Sequence, residues 1–534
     1  MRLALPSLPA ALSRSLSRSR LRTPRWGVHP EDHKRPAADA PVRRLPLPRR
    51  LYLPLQQHVG QPARPIVLVG QSVRRGQLIA QAAGRIGAPV HASASGRVVA
   101  IGEITAPHPS GLPFMAITLE TDRDQTPPTD MPTTAEATDP FALAPAEITA
   151  RIAAAGVVGL GGATFPSSVK LALGRKSGID TLIVNGGECE PYLSCDDRLM
   201  RDHAAGVVDG VRLMLHCTGA RRALVGIETN KPEAIAAMRR AAAAYPPIRI
   251  VPVPSRYPMG SDRQLIETLT GKEVPSDCRA ADVGVIVHNV HTAYAAHRAV
   301  RDFEPLIERL VTINGGAVWQ PGNVLVPIGT LAADLLDFVG LKSEPARLVM
   351  GGPMMGTVLP HANVPVVKGC AGILALGEAE TSAGLAAEPC IRCGNCVQAC
   401  PIGLLPLEMG ANVRAGELRA AADLGLSDCI ACGCCAYVCP SHIPLTQYFA
   451  HAKGELWAQE RATLRMEATR KLAASRTARL EREAREKAEA AARRKAERAA
   501  AKRAEEAAAA AAANVSSSAA ACAATAGAVA EENA

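Results

Sequence analysis

Aromatic side chains are scarce, at 3% of 534 residues, so whatever cores this chain builds are aliphatic. No stretch has the long uncharged apolar run of a membrane-crossing helix, and the alanine run at 507–513 is too short and too weakly apolar. The first 25 residues hold Arg, Ser and Leu but few acids, which superficially resembles an organelle transit peptide. They lack the apolar middle of a secretory signal, and a disordered extension is the expectation. Nothing marks the chain as exported, so its 15 cysteines do not read as a disulfide framework, and a reducing cytoplasm is expected. The net charge of +10 has much of its excess in the N-terminal extension. Basic residues are not interleaved with aromatics, which argues against nucleic acid as a partner.

What is present is concentrated in two cysteine runs. The first places Cys390, Cys393, Cys396 and Cys400 before Pro401; the second places Cys429, Cys432, Cys435 and Cys439 before Pro440. Each is the C-x-x-C-x-x-C-x-x-x-C-P spacing that holds a [4Fe–4S] cluster. Three thiolates in a tight turn reach three irons of one cubane, and the fourth, carried off on the next segment, reaches the other cluster. Cluster 1 is therefore assigned to Cys390, Cys393, Cys396 and Cys439, and cluster 2 to Cys429, Cys432, Cys435 and Cys400. Cys434 is out of register and is read as a non-ligand. Zinc knuckles use pairs of C-x-x-C rather than tandem runs that each end in Cys-Pro.

Elsewhere the text divides into segments. Residues 1–50 read as a basic extension. Residues 51–120 hold short β-type runs punctuated by Gly and Pro. Around His91 they resemble the hairpin of biotinyl/lipoyl-type barrel-sandwich domains, without the modifiable Lys of a carrier, so packing is the expected role. Residues 121–145 read as a linker. Residues 146–305 alternate strands and helices, which argues a parallel sheet. There Gly159, Gly161, Gly162 and Thr164 form a loop that runs into a helix carrying Lys170, a pattern that brings backbone N–H groups and positive charge to an anion. A strand then ends at Asn185, Glu188 and Glu190, where open α/β sheets place ligands. Residues 306–370 resemble a β-grasp domain of the soluble-ligand-binding type and read as a spacer. Residues 380–450 hold the cysteine runs. Residues 451–534 are Ala, Arg, Glu and Lys with strong helix propensity and no heptad seam, which predicts a solvated helix followed from Ser516 by a disordered tail. The fold class is multidomain α/β + β with a ferredoxin-like cluster domain.

Gly159-Leu-Gly-Gly-Ala-Thr-Phe-Pro166, Asn185-Gly-Gly-Glu-Cys-Glu-Pro191 and Met259-Gly-Ser-Asp-Arg-Gln-Leu-Ile266 resemble the three signatures of the NADH-oxidising flavoprotein subunit of respiratory complex I. From Trp26-Gly-Val-His-Pro-Glu-Asp-His-Lys34 to about Phe449 the chain more closely resembles the RnfC/RsxC family, a component of the Rnf (Rsx) ion-translocating electron-transport complex. The resemblance implies FMN, with the Gly159–Thr164 loop and Lys170 at its phosphate, and Asn185, Glu188 and Glu190 lining the flavin and nicotinamide site. Leu160 stands where the complex I relative carries Arg. The resemblance also implies a peripheral place on the cytoplasmic side of the cell inner membrane, the other proteins of the complex as partners, NADH as substrate and ferredoxin as an indirect partner. A flavin accepts a hydride and releases single electrons, whereas a cluster takes one, so the combination implies a two-to-one electron converter. A soluble cobalamin-reductase-like protein and a non-enzymatic relay stay open as alternatives.

Overall fold

The computed structural model describes residues 26–108, 110–122, 125, 139–381 and 385–527. The first 25 residues and most of the 121–145 linker lie outside them. The chain divides into two units, Met1–His451 and Ala452–Ala534.

The first unit begins with a β-domain of two antiparallel sheets. One runs Arg50–Pro54, Pro113–Thr121, Gly96–Thr105, Ser72–Val73, and the other Arg64–Pro65, Leu78–Gln81, Val90–His91. Alternate residues such as Leu51, Leu53, Ile117 and Leu119 fill its aliphatic core, as the period of two requires. His91 is buried in it. Burial and the nearby Lys368 hold its imidazole neutral, with a value pushed down to about 3. Lys368, itself pushed down to about 7 by burial, donates to the carbonyls of Pro89 at 2.8 Å and Gly156 at 2.7 Å, fastening this domain to the next.

The next layer is a parallel four-stranded sheet in the order Ile248–Val253, Arg222–Glu228, Thr181–Gly186, Val285–Asn289. Helices cover both faces, so the central strands are apolar almost throughout, as in Thr181–Gly186. The chain adds strands in one direction from Thr181–Gly186, then crosses to lay Val285–Asn289 on its other side. The order therefore reverses between Asn185 and Asn289, which pair in register. Such a switch point opens a crevice beyond the strand ends.

A six-stranded mixed sheet follows in the order Arg43–Arg44, Gly322–Pro327, Glu308–Asn314, Gly372–Leu376, Arg347–Met350, Thr357–Val358. Two of its strands lie outside the 306–370 segment. Arg43–Arg44 pairs in parallel with Gly322–Pro327, and Gly372–Leu376 with Glu308–Asn314. From Trp26 onward the supposed extension is thus woven into the body. Parallel pairing across such separations leaves no local trace in the sequence.

The cysteine segment consists of short helices, Asn395–Ala399, Pro406–Arg414, Leu418–Asp423 and Cys434–Tyr437. The two runs repeat one backbone turn. Arg392 and Gly394 have φ of 56° and 77°, and Ala431 and Gly433 have 54° and 81°.

The second unit is part of one helix, Leu445–Gly527, which from Trp457 on is exposed on all sides where its side chains are described. It carries i,i+4 pairs such as Arg493–Glu497 at 3.2 Å. The helix continues past Ser516, where a disordered tail was expected. Ser516, Ser517 and Ser518 return their hydroxyls to the carbonyls of Ala513, Asn514 and Val515, and alanine sustains the helix on either side. Among the described residues no helix is long and apolar enough to cross a membrane.

Candidate functional site

The glycine loop is closed at its base. Gly159 N–H donates to Phe165 at 2.8 Å and Ser167 N–H to Val157 at 3.1 Å, so the segment between them stands as a ring before helix Ser167–Lys176. Leu160 N–H donates to Thr292 Oγ1 at 2.9 Å, pinning the ring over helix Val290–Arg301. A Cβ on Gly161 would come within 3.0 Å of the Asn289 side chain, whereas one on Gly162, at φ +123°, would meet nothing within 4 Å. The ring therefore offers bare backbone on one face and touches the sheet on the other. Thr164 packs its methyl against Gly369.

The strand ends complete this corner. Asn185 Nδ2 donates to the Gly260 carbonyl at 2.8 Å, and its Oδ1 accepts from Gly187 N–H at 2.9 Å. Asn289 caps helix Val290–Arg301 by accepting from His291 N–H at 2.8 Å, and donates to Asp196 at 2.7 Å. Lys170 lies one turn into its helix, close enough for its charge to act on the Asp262 carboxyl. Gly161, Gly162, Thr164 and Lys170 thus border the switch-point crevice with backbone amides and one cation, and Asn185 and Asn289 brace the strand ends through their own hydrogen bonds. That donor set fits a phosphorylated planar cofactor. Asn289 was not singled out in the sequence. Its signal was its place at the end of an apolar strand, before a helix.

Glu188 and Glu190 stand on the loop after Asn185, and the carboxylates of both accept from backbone amides. Glu188 is buried and accepts from Asp196 N–H at 2.8 Å and Asp197 N–H at 3.3 Å, at the start of helix Cys195–Asp202. Glu190 accepts from Met354 N–H at 3.0 Å and Met355 N–H at 2.9 Å. Burial pushes the Glu190 carboxyl up to about 7, against those two hydrogen bonds. Lys34, from the N-terminal motif, reaches the same loop, where its buried ammonium donates to the carbonyls of Glu188, Glu190 and Leu193. Burial, and then the neighbouring Lys231, lower its value. The motif was visible in the sequence, but its role as a clamp under the 188–193 loop was not.

The cysteines gather in two cavities. One is lined by Cys390, Cys393, Cys396 and Cys439, the other by Cys400, Cys429, Cys432 and Cys435 together with Cys434. In each run the first sulfur accepts from the backbone two residues on, Arg392 N–H to Cys390 and Ala431 N–H to Cys429, both at 3.4 Å. Cavities that each gather four motif sulfurs, with an amide turned onto the first of each run, fit thiolate-bound cubanes. Cys434 packs in an apolar cluster with Val28, Tyr257 and Ala399.

The Cys429-side cavity is docked on the parallel-sheet domain. Tyr257 Oη donates to the Cys432 carbonyl at 2.6 Å, Gln264 to the Pro401 carbonyl at 3.2 Å, and Ser276 to Asp428 at 2.7 Å. The N-terminal strap adds Gly27 N–H to the Ala399 carbonyl at 3.1 Å and pairs Val28 with Tyr257. On the Cys390 side the segment ties to itself, through Glu388 N–H to Ser441 at 2.9 Å and Ser441 to Pro389 at 3.0 Å, and Cys390 and Cys393 are exposed.

Comparison with known proteins divides the chain in the same way. Residues 23–124 match the RnfC barrel sandwich hybrid domain, 152–298 the Nuo51 FMN-binding domain, 310–358 the SLBB domain and 389–443 a 4Fe–4S dicluster domain. The RnfC protein of the Rhodobacter capsulatus ion-translocating oxidoreductase complex is 49% identical over 435 residues, 81% of this chain and 83% of that one. Its namesake from Pseudomonas aeruginosa is 46% identical over 82% of this chain and 56% of its own length. The corresponding protein of the Clostridium ljungdahlii proton-translocating ferredoxin:NAD(+) oxidoreductase complex is 42% identical over 72% of this chain and 83% of its own. With its FMN-binding and dicluster domains in place, this chain belongs to the RnfC family of ion-translocating oxidoreductase complexes.

Proposed function

We propose that this chain is the NADH-side electron carrier of a membrane-bound Rnf-type complex, seated peripherally on the cytoplasmic face and working with the other proteins of the complex. NAD(H) and, indirectly, ferredoxin stand at the two ends of its electron path. The name of the Clostridium relative supports those two reactants, and ion translocation belongs to the assembly. Gly161, Gly162, Thr164, Lys170, Asn185 and Asn289 hold the flavin. Glu188 and Glu190 shape the loop beside it. Cys390, Cys393, Cys396 and Cys439 hold one cluster, and Cys400, Cys429, Cys432 and Cys435 the other. When bound, a flavin exchanges two electrons with a nicotinamide and one at a time with a cluster, which is the conversion such a carrier needs.

The observation that carries this reading is the interleaving of the two cysteine runs into two cavities, one of them fastened to the flavin-binding domain. The Cys429-side cavity is thus the one tied to the flavin-binding domain, while Cys390 and Cys393 of the other are exposed. Gly161→Val separates the parts. Its side chain would collide with Asn289, so the expected result is loss of flavin with full iron content after anaerobic purification. Retained flavin would refute the corner. Wild-type protein reconstituted with FMN and given NADH should bleach in the cluster region of its visible spectrum; flavin-free protein that does not bleach would leave a relay.

A further inference from the structure

A cavity of about 250 Å³ adjoins the glycine ring through Leu160 and lies between helix Val290–Arg301 and strand Glu308–Asn314. Leu199, Leu306, Leu310 and Leu325 contribute apolar walls. Two polar side chains in its lining are nearly sealed from solvent, Arg309 at 2% exposed and His291 at 4%. Arg309 donates from Nε to the Cys370 carbonyl at 3.2 Å and from Nη2 to the Leu160 carbonyl at 3.4 Å, but its Nη1 has no partner. His291 Nε2 has none either. A buried guanidinium hydrogen left unpaired is costly, and two such groups on one cavity call for a ligand that satisfies both.

The chemistry of each group narrows the ligand. The His291 Nδ1 stands 2.6 Å from an Asp196 oxygen. Asp196 stays a carboxylate: burial opposes this, but the hydrogen bond from His291 holds it low. The carboxylate can only accept, so Nδ1 carries the hydrogen. Burial and the charge of Arg309 keep the ring neutral, so Nε2 offers a lone pair. The ligand must therefore bring an acceptor to Arg309 and a donor to His291. Cys195, Asp196 and His291 lie close enough together to hold a metal ion. Asp196 already accepts from His291 and Asn289, however, and the Arg309 charge repels a cation. Acids at the rim are already paired, Glu308 with Arg44 at 2.6 Å and Glu304 with Arg75 at 2.8 Å, leaving Arg309 to attract an anion.

We propose that this cavity binds a small apolar 2-hydroxycarboxylate, its carboxylate on Arg309 and its hydroxyl donating to His291. The ligand would bridge the flavin-binding and β-grasp segments beside Leu160 of the glycine ring.

The test is calorimetric titration of the full chain, with iron and flavin content measured on the same sample. The probes are 2-hydroxy-4-methylpentanoate and 4-methylpentanoate, which lacks the hydroxyl. The hydroxylated probe is expected to bind at least about tenfold more tightly, because its absence leaves His291 unpaired. Arg309→Met should weaken it by about tenfold or more. That variant also removes hydrogen bonds to Cys370 and Leu160, so Ala295→Leu, which fills the cavity from the helix side, is the second variant; it should abolish binding while iron and flavin are retained. No heat with either probe, equal affinity for both, or unchanged binding in Ala295→Leu would each overturn the proposal.

Discussion

The two cysteine cavities have one sequence pattern and two environments. On the Cys429 side Cys432, Cys434 and Cys435 are buried, and the parallel-sheet domain supplies Tyr257, Gln264 and Ser276 as hydrogen-bond partners. On the Cys390 side the first two sulfurs are exposed. The spacing decides that a cubane can be held, and the surroundings decide what it exchanges electrons with. Burial and hydrogen bonding also tune cluster potential, so two sites with the same ligands need not be equivalent. The docked site has one fixed neighbour, the parallel-sheet domain, and the other leaves two of its sulfurs open to solvent.

The largest effect expected breaks the pairing itself. Cys439 stands in the second run but lines the Cys390-side cavity, and Cys400 stands in the first but lines the other. Cys439→Ala should remove about half of the iron and the EPR signal of the exposed site, and Cys400→Ala the signal of the docked one. Signals lost the other way round would mean each run serves its own cluster.

Next in size is a pair of matched glycine substitutions. Gly394 and Gly433 occupy the same left-handed turn, at φ 77° and 81°, but a Cβ on Gly394 would meet nothing within 4 Å while one on Gly433 would sit 3.1 Å from the Met354 carbonyl. Gly394→Ala is expected to cost about 1 kcal/mol of stability from backbone conformation alone, and Gly433→Ala that amount plus the crowding, about 2 kcal/mol in all. Chemical denaturation of the iron-loaded protein measures both. Equal losses would mean the docking contact is slack.

That difference also marks how far the sequence could be read. The grouping of the sulfurs was legible because cluster spacing is local and its crossing rule general. The glycine ring, Lys170 and Asn185 were legible for a similar reason, since a loop-to-helix turn and a strand end are short motifs. Glu188 and Glu190 were legible as loop carboxylates, but not the amides of Asp196, Asp197, Met354 and Met355 that bind them, because only the fold brings those amides to them. Arg43–Arg44 fell within the supposed basic extension because parallel pairing with Gly322–Pro327 depends on the whole fold. Arg309, at the head of an ordinary β-run, gave no sign that its guanidinium would be enclosed.

Tyr257→Phe sharpens the comparison further. It removes a single hydrogen bond, leaving the buried Cys432 carbonyl unpaired, and should cost about 1 kcal/mol. A redox titration followed by EPR should move the docked site's potential and leave the exposed site's alone. Movement of both would mean that the two sites are one rigid unit.

The smallest expected effect is a pH dependence confined to the docked side. Glu190 holds the loop around Met354, whose carbonyl lies against the Gly433 turn. Its carboxyl is pushed up from an ordinary 4.5 to about 7, burial being the main cause. A folded acid raised in this way binds its proton more readily than the unfolded chain does, so its contribution to stability falls as pH rises from about 4.5 to about 7 and is flat beyond. Gln at this position has one acceptor oxygen for the two amides, a loss that does not vary with pH, and it does not ionise. The stability of Glu190→Gln relative to wild type should therefore grow between about pH 5 and about pH 8, with the Cys390-side EPR signal unchanged across the range. A margin that stayed constant would show that Glu190 is ionised throughout, its charge held by Lys34 and the two amides more firmly than burial can oppose.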